Sequence, residues 1–235
     1  MAEPGTFTVV LPTKNEALNL PQFLQSLPPD VPLIVLDDSN DGTPELLTFL
    51  RPCNTRLVKM EGGVAVKRQR GAELAESEWV LFTDADIRFT PGYFGALERR
   101  LRGDVVFGPK FSSGGYELYY RIFSLGQAIG VKMGLPAASA SNMLVRRQAL
   151  MEVGGFDLLL PCNEDTDLVM RLARAGYKIT RAPDLIVYNT DHRRLRRGML
   201  WRYTHILLRV VLLYLSMNFA VPRRWLYSDW GYWRT

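Results

Sequence analysis

The sequence contains few residues of the kinds that build disulfides or zinc sites: two cysteines and two histidines in 235 residues. Cys53 and Cys162 lie far apart, and no CxxC or Cys/His spacing typical of zinc ligands occurs. These absences argue against a disulfide-stabilised secreted module and against a zinc-binding module. We interpret the cysteines as free thiols in a reducing compartment. A chain of this length buries a core large enough to fold without either kind of crosslink.

A long uninterrupted apolar run is also missing. The longest candidate, residues 206–221, is 16 residues long and contains one charge, Arg209. It is shorter than the roughly 20 apolar residues that cross a bilayer. The first residues also lack the charged and apolar segments of a secretory signal, so a cytoplasmic location is expected.

The positive net charge of +5 is concentrated near the C-terminal end of the sequence. A basic segment of this kind suits nucleic acid, anionic lipid or a phosphorylated substrate. The arginines concerned are Arg193, Arg194, Arg196, Arg197, Arg202, Arg209, Arg223 and Arg224.

Short apolar runs alternate with helical patterns in the first half of the sequence. This order predicts an α/β protein with a mostly parallel sheet between two layers of helices. Ligands of such sheets bind beyond the carboxyl ends of the strands. The strands are expected at residues 6–11, 33–36 and 79–83, and polar clusters follow them at residues 12–16, 37–41 and 84–86.

The second half of the sequence has a less regular pattern. An acidic group at residues 163–167 is expected to precede a helix at residues 168–175. The other elements expected are a strand within residues 101–111, an aromatic helix at 116–135, a small-residue loop at 137–142, a strand region at 179–189 and a long apolar helix at 199–221.

Asp84 and Asp86 follow the apolar strand at residues 79–83. Two carboxylates at a buried strand end repel each other and lose hydration, unless a cation lies between them. Mg²⁺ and Mn²⁺ prefer such oxygen ligands and are commonly shared with substrate phosphates. The pair therefore indicates a site for Mn²⁺ or Mg²⁺.

Five motifs occur in an order that resembles the family-2 glycosyltransferases of the GT-A fold. The resemblance covers about residues 6–190. It implies a GT-A catalytic domain at residues 1–195, made of a nucleotide-sugar-binding half (1–110) and an acceptor-binding half (111–195). The composition of residues 196–235 predicts a basic, amphipathic helical tail after this domain. The motifs are VVLPTKNE at 9–16, IVLDDSNDGT at 34–43, LFTDAD at 81–86, GGFD at 154–157 and NEDTDL at 163–168.

The resemblance also implies which residues bind the donor. Pro12, Thr13 and Glu16 would contact the nucleoside, and Asp37 and Asp38 would accept hydrogen bonds from the base. The resemblance also implies that Ala85, between the two acids of the pair, contacts the donor. Three cations would face its diphosphate: Lys67, Arg68 and Arg70. An alternative interpretation makes these last three a solvated basic face of a helix.

The metal and the catalytic base follow from the same resemblance. Asp84 and Asp86 would bind the metal, with Asp86 as the direct ligand and His192 as a third, although His192 also suits a surface loop. Asp165 would deprotonate the acceptor, with Glu164 orienting it, and in-line attack would invert the anomeric carbon. An acidic helix start favoured by the helix dipole is the alternative interpretation of Glu164 and Asp165.

The long helix expected at residues 199–221 is apolar except for one polar stripe. We expect it to lie in a membrane interface with the basic stripe against anionic headgroups, although a core or dimer-interface helix fits too. Tryptophans near both ends favour the membrane. The stripe is Arg202, His205, Arg209 and Ser216, and the tryptophans are Trp201, Trp225, Trp230 and Trp233.

The predicted function is transfer of one sugar from a nucleoside-diphosphate sugar, UDP being favoured over GDP because it is the more frequent donor. The acceptor is expected to be a hydroxyl or phosphate of a lipid-linked molecule at the cytoplasmic membrane face, and no nucleic acid is expected. No Gln-x-x-Arg-Trp motif follows the base, which argues against polymer synthesis. The alternatives are a soluble glycosyltransferase whose tail forms a homodimer, a nucleotidyltransferase, and an inactive nucleotide-sugar-binding module.

Overall fold

A computed structural model describes residues 6–191, 195 and 198–230. Strands and helices alternate through the first half, as the sequence predicts. Its elements are β1 (Phe7–Thr13), α1 (Leu20–Ser26), β2 (Leu33–Asp37), α2 (Thr43–Leu50), β3 (Thr55–Lys59), α3 (Val64–Leu74) and β4 (Trp79–Thr83).

The second half contains more and shorter elements than the sequence pattern indicates. They are β5 (Ile87–Phe89), α4 (Tyr93–Glu98), β6 (Val105–Phe107), β7 (Lys110–Ser112), α5 (Glu117–Lys132), β8 (Asn142–Arg146), α6 (Arg147–Glu152), α7 (Glu164–Arg174), β9 (Ile179–Arg181), β10 (Val187–Asn189), α8 (Met199–Ser216) and α9 (Arg223–Tyr227).

Two expectations about element boundaries were wrong. The acidic group lies inside the first turn of α7, where the helix dipole favours acids, rather than before the helix. The long helix ends at Ser216 instead of reaching residue 221. The strand expected within residues 101–111 is confirmed as β6, and a strand of a different sheet, β7, follows it.

The main sheet has the strand order β3-β2-β1-β4-β8-β6-β9. All its neighbouring strands are parallel except β8, which runs antiparallel to both β4 and β6. The mostly parallel sheet is therefore confirmed. Two hydrophobic clusters cover its faces and contain the buried side chains of β1, β2 and β4.

Helix α3 packs unusually close to the main sheet. A Cβ atom at Gly71 would lie 2.3 Å from Cγ1 of Val10, so only glycine allows this approach. The close packing brings the side chains of Lys67 and Arg68 inward, where both are buried. The helix thereby supplies cations to the carboxyl ends of the strands.

A small second sheet, in the order β5-β10-β7, lies beyond the main one. Strand β5 begins directly after Asp86, and β10 pairs with it so that Asn189 lies opposite Ile87. The end of β10 is thereby brought to the acidic pair that follows β4.

The orientation expected for the last long helix was wrong. Arg202, His205 and Arg209 are buried, with exposed fractions of 8%, 5% and 2%. Arg209 donates to the carbonyl oxygens of Leu226 (2.6 Å) and Ser228 (2.5 Å), which return along the helix. The opposite, exposed face carries Leu200, Trp201, Leu207, Leu208, Val211 and Leu215.

Within the described ranges, none of the helices is both long and apolar enough to cross a bilayer. The domain boundaries at residues 110 and 195 stay predictions.

Candidate active site

The first two polar clusters come together where β1 and β2 end side by side. Thr13 lies opposite Asp37 in the parallel register, and its hydroxyl donates to Oδ1 of Asp37 at 2.6 Å. The backbone N–H of Asp38 donates to the carbonyl oxygen of Thr13 at 3.1 Å. Thr13, Asp37 and Asp38 therefore lie together at the ends of these strands, where Thr13 and Asp37 are buried and Asp38 is half-buried.

Two lysines neutralise this cluster. The buried ammonium of Lys67 donates to the carbonyl oxygen of Thr13 at 2.8 Å and lies 3.9 Å from Asp38. Lys14 donates to Asp38 at 3.0 Å. Burial lowers the pKa of Lys67, while Asp38 and then Asp37 oppose that shift. Lys67 thus lies against the end of β1, next to the carboxylates expected to bind the base.

The loop after β1 is tied to the loop after β2. The N–H of Glu16 donates to the hydroxyl of Thr43 at 3.0 Å, and the amide of Asn19 donates to the Glu16 carboxylate at 2.6 Å.

Pro12 belongs to β1 and is half-buried. Ala85 is buried in the hydrophobic core, so its methyl group does not line the cleft.

Arg68 joins the end of β4 to the first turn of α7. Its buried guanidinium donates to Oδ1 of Asp84 at 2.7 Å and to Oε1 of Glu164. Burial alone would lower the pKa of Arg68, but Asp84 and Glu164 reverse that effect and leave the pKa raised. Arg68 therefore remains a cation that bridges β4 and α7.

The structure does not bring Arg70 to this cluster. It lies two residues beyond Arg68, about 200° further round the helix, and its exposed guanidinium pairs with Glu73 at 3.1 Å. The placement of Arg70 matches the alternative interpretation, a solvated basic face of the helix. Lys67 and Arg68 do not match it, because both are buried.

Asp165, in the first turn of α7, is held in one orientation by two backbone N–H groups. Its Oδ2 accepts from the N–H of Ala140 at 2.9 Å, and its Oδ1 accepts from the N–H of Thr166 at 2.7 Å. Thr83, the last residue of β4, donates to the carbonyl oxygen of Ser141 at 3.2 Å. The small-residue loop therefore connects the expected base to the strand that precedes the acidic pair.

Glu164 is almost fully buried beside Asp165. Burial, followed by the charge of Asp165, raises the pKa of Glu164, and Arg68 opposes the shift. A carboxylate enclosed in this way contacts Arg68 rather than the open cleft.

Asp86 is held by the residues at the end of β10. The Nδ2 atom of Asn189 donates to Oδ2 of Asp86 at 3.0 Å. The N–H and hydroxyl of Thr190 both donate to the carbonyl oxygen of Asp86, at 2.8 and 3.0 Å. Sequence reasoning missed Asn189, because one polar residue in an apolar strand gives no pattern to detect.

Asp84 and Asp86 offer the hard oxygen ligands that Mn²⁺ or Mg²⁺ prefers. In the part of the chain that the structure describes, no group of three or more His, Cys, Asp or Glu side chains is arranged to hold a metal. His192, predicted as the third ligand, lies outside the described residues.

The GGFD motif, residues 154–157, packs against α3 and β4. The side-chain oxygen of Gln69 accepts from the N–H of Phe156 at 3.0 Å, and a Cβ atom at Gly155 would lie 2.1 Å from that oxygen. The ring of Phe156 packs edge-on against Phe82 of β4, with centroids 5.1 Å apart. The motif therefore secures the loop before α7 to α3 and the sheet.

An aromatic cluster lies next to the acidic pair, at the first turns of α5 and α8. Tyr119 contacts Tyr203 edge-on, with centroids 6.5 Å apart, and the ammonium of Lys110 lies 5.9 Å from the centroid of Tyr120. Burial, and then the charge of Asp86, raises the pKa of Tyr120. The start of α8 is thus part of the surroundings of the site.

Strand-end carboxylates, buried cations on α3 and an acidic helix start thus lie together in this α/β protein, at the strand ends where ligands of this class of fold bind. Residues 8–154 match the family model described as glycosyl transferase family 2, and residues 127–228 match a model described as glycosyltransferase like family 2. The chain belongs to glycosyl transferase family 2, and its resemblance to that family is confirmed.

Two curated relatives are similar over most of this chain. A pre-mycofactocin glycosyltransferase of Mycobacterium tuberculosis is 27% identical over 79% of this chain and 43% of its own length. The succinoglycan biosynthesis protein ExoA of Rhizobium meliloti is 26% identical over 73% of this chain and 59% of its own length. The aligned part of this chain thus spans about half the length of these relatives.

Solved structures confirm the GT-A type of fold. The mannosyltransferase PcManGT of Pyrobaculum calidifontis, in complex with GDP-Man and Mn²⁺, has a TM-score of 0.71 and 20% identity, over 96% of this chain and 68% of that chain. Residues 1–349 of TarS from S. aureus, in complex with UDP-GlcNAc, have a TM-score of 0.66 and 19% identity, over 92% and 68%.

Proposed function

We propose that this glycosyltransferase moves one sugar, with inversion, from a nucleoside-diphosphate sugar to a lipid-linked acceptor. UDP-sugars are favoured and GDP-sugars are possible, the acceptor group is a hydroxyl or phosphate, and the reaction takes place at the cytoplasmic membrane face. The observation that carries the proposal is the guanidinium of Arg68, which contacts Asp84 and Glu164. It holds the expected metal-binding strand end next to the helix that carries the expected base.

The chemistry of each part follows from its position. Thr13, Asp37 and Asp38 line the end of β1 and β2, where hydrogen-bond acceptors suit a nucleobase. Asp165 accepts the proton of the acceptor hydroxyl as that oxygen attacks. Mn²⁺ or Mg²⁺ bound at Asp84 and Asp86 would neutralise the leaving diphosphate. One base on the acceptor side is sufficient for an inverting transfer.

The structural neighbours support a nucleotide-sugar donor and a divalent cation. PcManGT was solved with GDP-Man and Mn²⁺, and TarS was solved with UDP-GlcNAc. These neighbours carry different nucleotides, so both UDP and GDP belong in a test of this chain.

We expect one nucleoside diphosphate to raise the thermal midpoint of the protein, and only when Mn²⁺ or Mg²⁺ is present. A ligand at 100 times its dissociation constant stabilises the folded state by about 2.7 kcal/mol. A thermal-shift panel of UDP, GDP, ADP and CDP, with Mn²⁺ and with EDTA, measures this effect. If none of these nucleotides shifts the midpoint, the donor assignment is wrong.

Two exposed apolar stripes support contact with a lipid surface. Helices α5 and α8 contact each other through Tyr119 and Tyr203, and the hydroxyl of Tyr214 on α8 donates to the carbonyl oxygen of Pro136, in the loop after α5, at 3.2 Å. Residues 192–228 contain no aspartate or glutamate, which suits anionic headgroups. The stripe on α5 is Leu118, Ile122, Leu125, Ile129 and, at the C-cap, Met133, and its side chains are exposed like those of the exposed face of α8 described above.

A charge placed on each stripe is expected to abolish binding to vesicles. We expect the wild-type protein to sediment with liposomes that contain phosphatidylglycerol, and the double variant Leu125→Glu/Leu208→Glu to stay in solution. Phe49→Glu is a matched control, since Phe49 is exposed on α2 and belongs to neither stripe. Point charges are preferable to deleting the tail, because Leu213 of α8 packs against Leu160 and Met170 in a buried cluster.

The same experiment tests the soluble alternative. In that case the wild-type protein would not bind anionic vesicles but would form a dimer, and Leu208→Glu would dissociate the dimer. This outcome would contradict membrane contact and favour an oligomer interface. Light scattering coupled to gel filtration measures this outcome.

A further inference from the structure

Asn189 is a buried polar residue at the end of β10, with 4% of its surface exposed. Its Nδ2 atom donates to Asp86, whereas its Oδ1 atom is buried and has no hydrogen-bond partner among the described residues. A buried carbonyl oxygen without a partner costs its full desolvation free energy, so such atoms usually indicate a missing water or ion. This oxygen belongs to the same planar group that touches the acidic pair.

Rotating the side-chain amide of Asn189 by half a turn, which exchanges Oδ1 and Nδ2, would not satisfy its hydrogen bonds. The reversed orientation would place Oδ1 of Asn189 3.0 Å from a carboxylate oxygen of Asp86 and leave two N–H donors without an acceptor. The hydrogen-bond pattern therefore fixes which atom faces Asp86 and which atom has no partner.

The backbone that carries Asn189 is held on both sides. Strand β10 lies between β5 and β7, with Asn189 opposite Ile87 and Ser112. The N–H of Ser113 donates to the carbonyl oxygen of Asn189 at 3.0 Å. The orphaned oxygen is thus presented by a paired strand, as a preorganised ligand would be.

We propose that Oδ1 of Asn189 is an oxygen ligand of the divalent cation bound at Asp86 and Asp84. Amide oxygens are hard donors of the kind that Mn²⁺ and Mg²⁺ accept. The Nδ2 atom would meanwhile hold the carboxylate of Asp86 in place beside that oxygen. This inference rests on the metal dependence in the proposed function.

Mn²⁺ affinity tests the inference without measuring catalysis. Electron paramagnetic resonance of free Mn²⁺ is followed during titration of the protein, with UDP or GDP present. We expect Asn189→Ala to weaken Mn²⁺ binding by about 10- to 100-fold. Asn189→Asp, which retains an oxygen ligand, is expected to bind Mn²⁺ at least as tightly as the wild type. Thr90→Val is a matched control, because it removes a hydroxyl contact with the carbonyl oxygen of Ile186, next to β10, rather than a contact with Asp86.

Thermal midpoints show whether each variant is folded, independently of its Mn²⁺ affinity. In EDTA, Asn189→Asp is expected to melt below the wild type, because two adjacent carboxylates repel, and Mn²⁺ is expected to raise its midpoint more than that of the wild type. Equal Mn²⁺ affinity in all variants, or an equal loss in Asn189→Ala and Asn189→Asp, would overturn the inference. A wild-type protein that binds no Mn²⁺ with either nucleotide would overturn the proposed metal dependence together with it.

Discussion

Replacing Asp165 with asparagine is expected to lower kcat for sugar transfer by about 10²- to 10⁴-fold, because an amide cannot accept the acceptor proton at neutral pH. The affinity for the nucleoside diphosphate is expected to stay unchanged, since the residues at the ends of β1 and β2 are untouched. One of the two hydrogen bonds from Ala140 and Thr166 is lost, which costs about 1 kcal/mol of stability. Single-turnover transfer and nucleotide titration measure the two quantities separately.

Asp167 offers a matched control in the same turn of α7. Its carboxylate pairs with Arg171 at 2.7 Å, and no contact joins it to Arg68 or Asp84 among the described residues. Asp167→Asn is therefore expected to alter stability more than turnover. If Asp165→Asn retained wild-type kcat, Asp165 would not be the base, and the acidic start of α7 would be explained by the helix dipole alone.

The main sheet was predictable because its central strands are buried on both faces. Such strands appear in sequence as continuous apolar runs, and prolines such as Pro44 mark the first turns of the helices between them. Strands β5, β9 and β10 are three residues long, too short to show a period. Their positions depend on partners distant in sequence, which no local pattern reveals.

Helix α8 shows a different limit of sequence reasoning. Periodicity identified its polar stripe correctly, but it does not tell which face a helix buries. The burial of Arg209 depends on carbonyl groups 17 and 19 residues further along the chain, at Leu226 and Ser228. The apolar face consequently points outward, which strengthens the case for contact with lipid or with another subunit.

The candidate site was predictable where it depends on strand ends. Parallel strands bring Thr13 and Asp37 together, and the position of Asp84 follows from β4 in the same way. The partners of Arg68 were not predictable, because Glu164 is 96 residues away. Helical geometry alone would have separated Arg68 from Arg70, since residues two apart face different directions. The role of His192 stays a prediction.

Replacing Arg68 with methionine is expected to lower the free energy of unfolding by about 3–5 kcal/mol, the usual cost of removing one partner from a buried ion pair. The substitution leaves Glu164 buried without a counter-charge and frees Asp84 from its contact with α3. Chemical denaturation followed by circular dichroism measures the change. Arg70→Met is the matched control on the same helix, and its exposed pair with Glu73 predicts a change within about 0.5 kcal/mol.

A double-mutant cycle with Glu164→Gln separates the ion pair from packing. Most of the cost of Arg68→Met is the uncompensated carboxylate, so Arg68→Met/Glu164→Gln is expected to be more stable than the sum of the two single variants predicts. The double variant should still transfer sugar more slowly than the wild type, because Arg68 no longer joins Asp84, which follows β4, to α7, which carries Asp165. Strictly additive losses of stability would show that Arg68 and Glu164 act independently, and the bridge would then not be what holds the two halves of the site together.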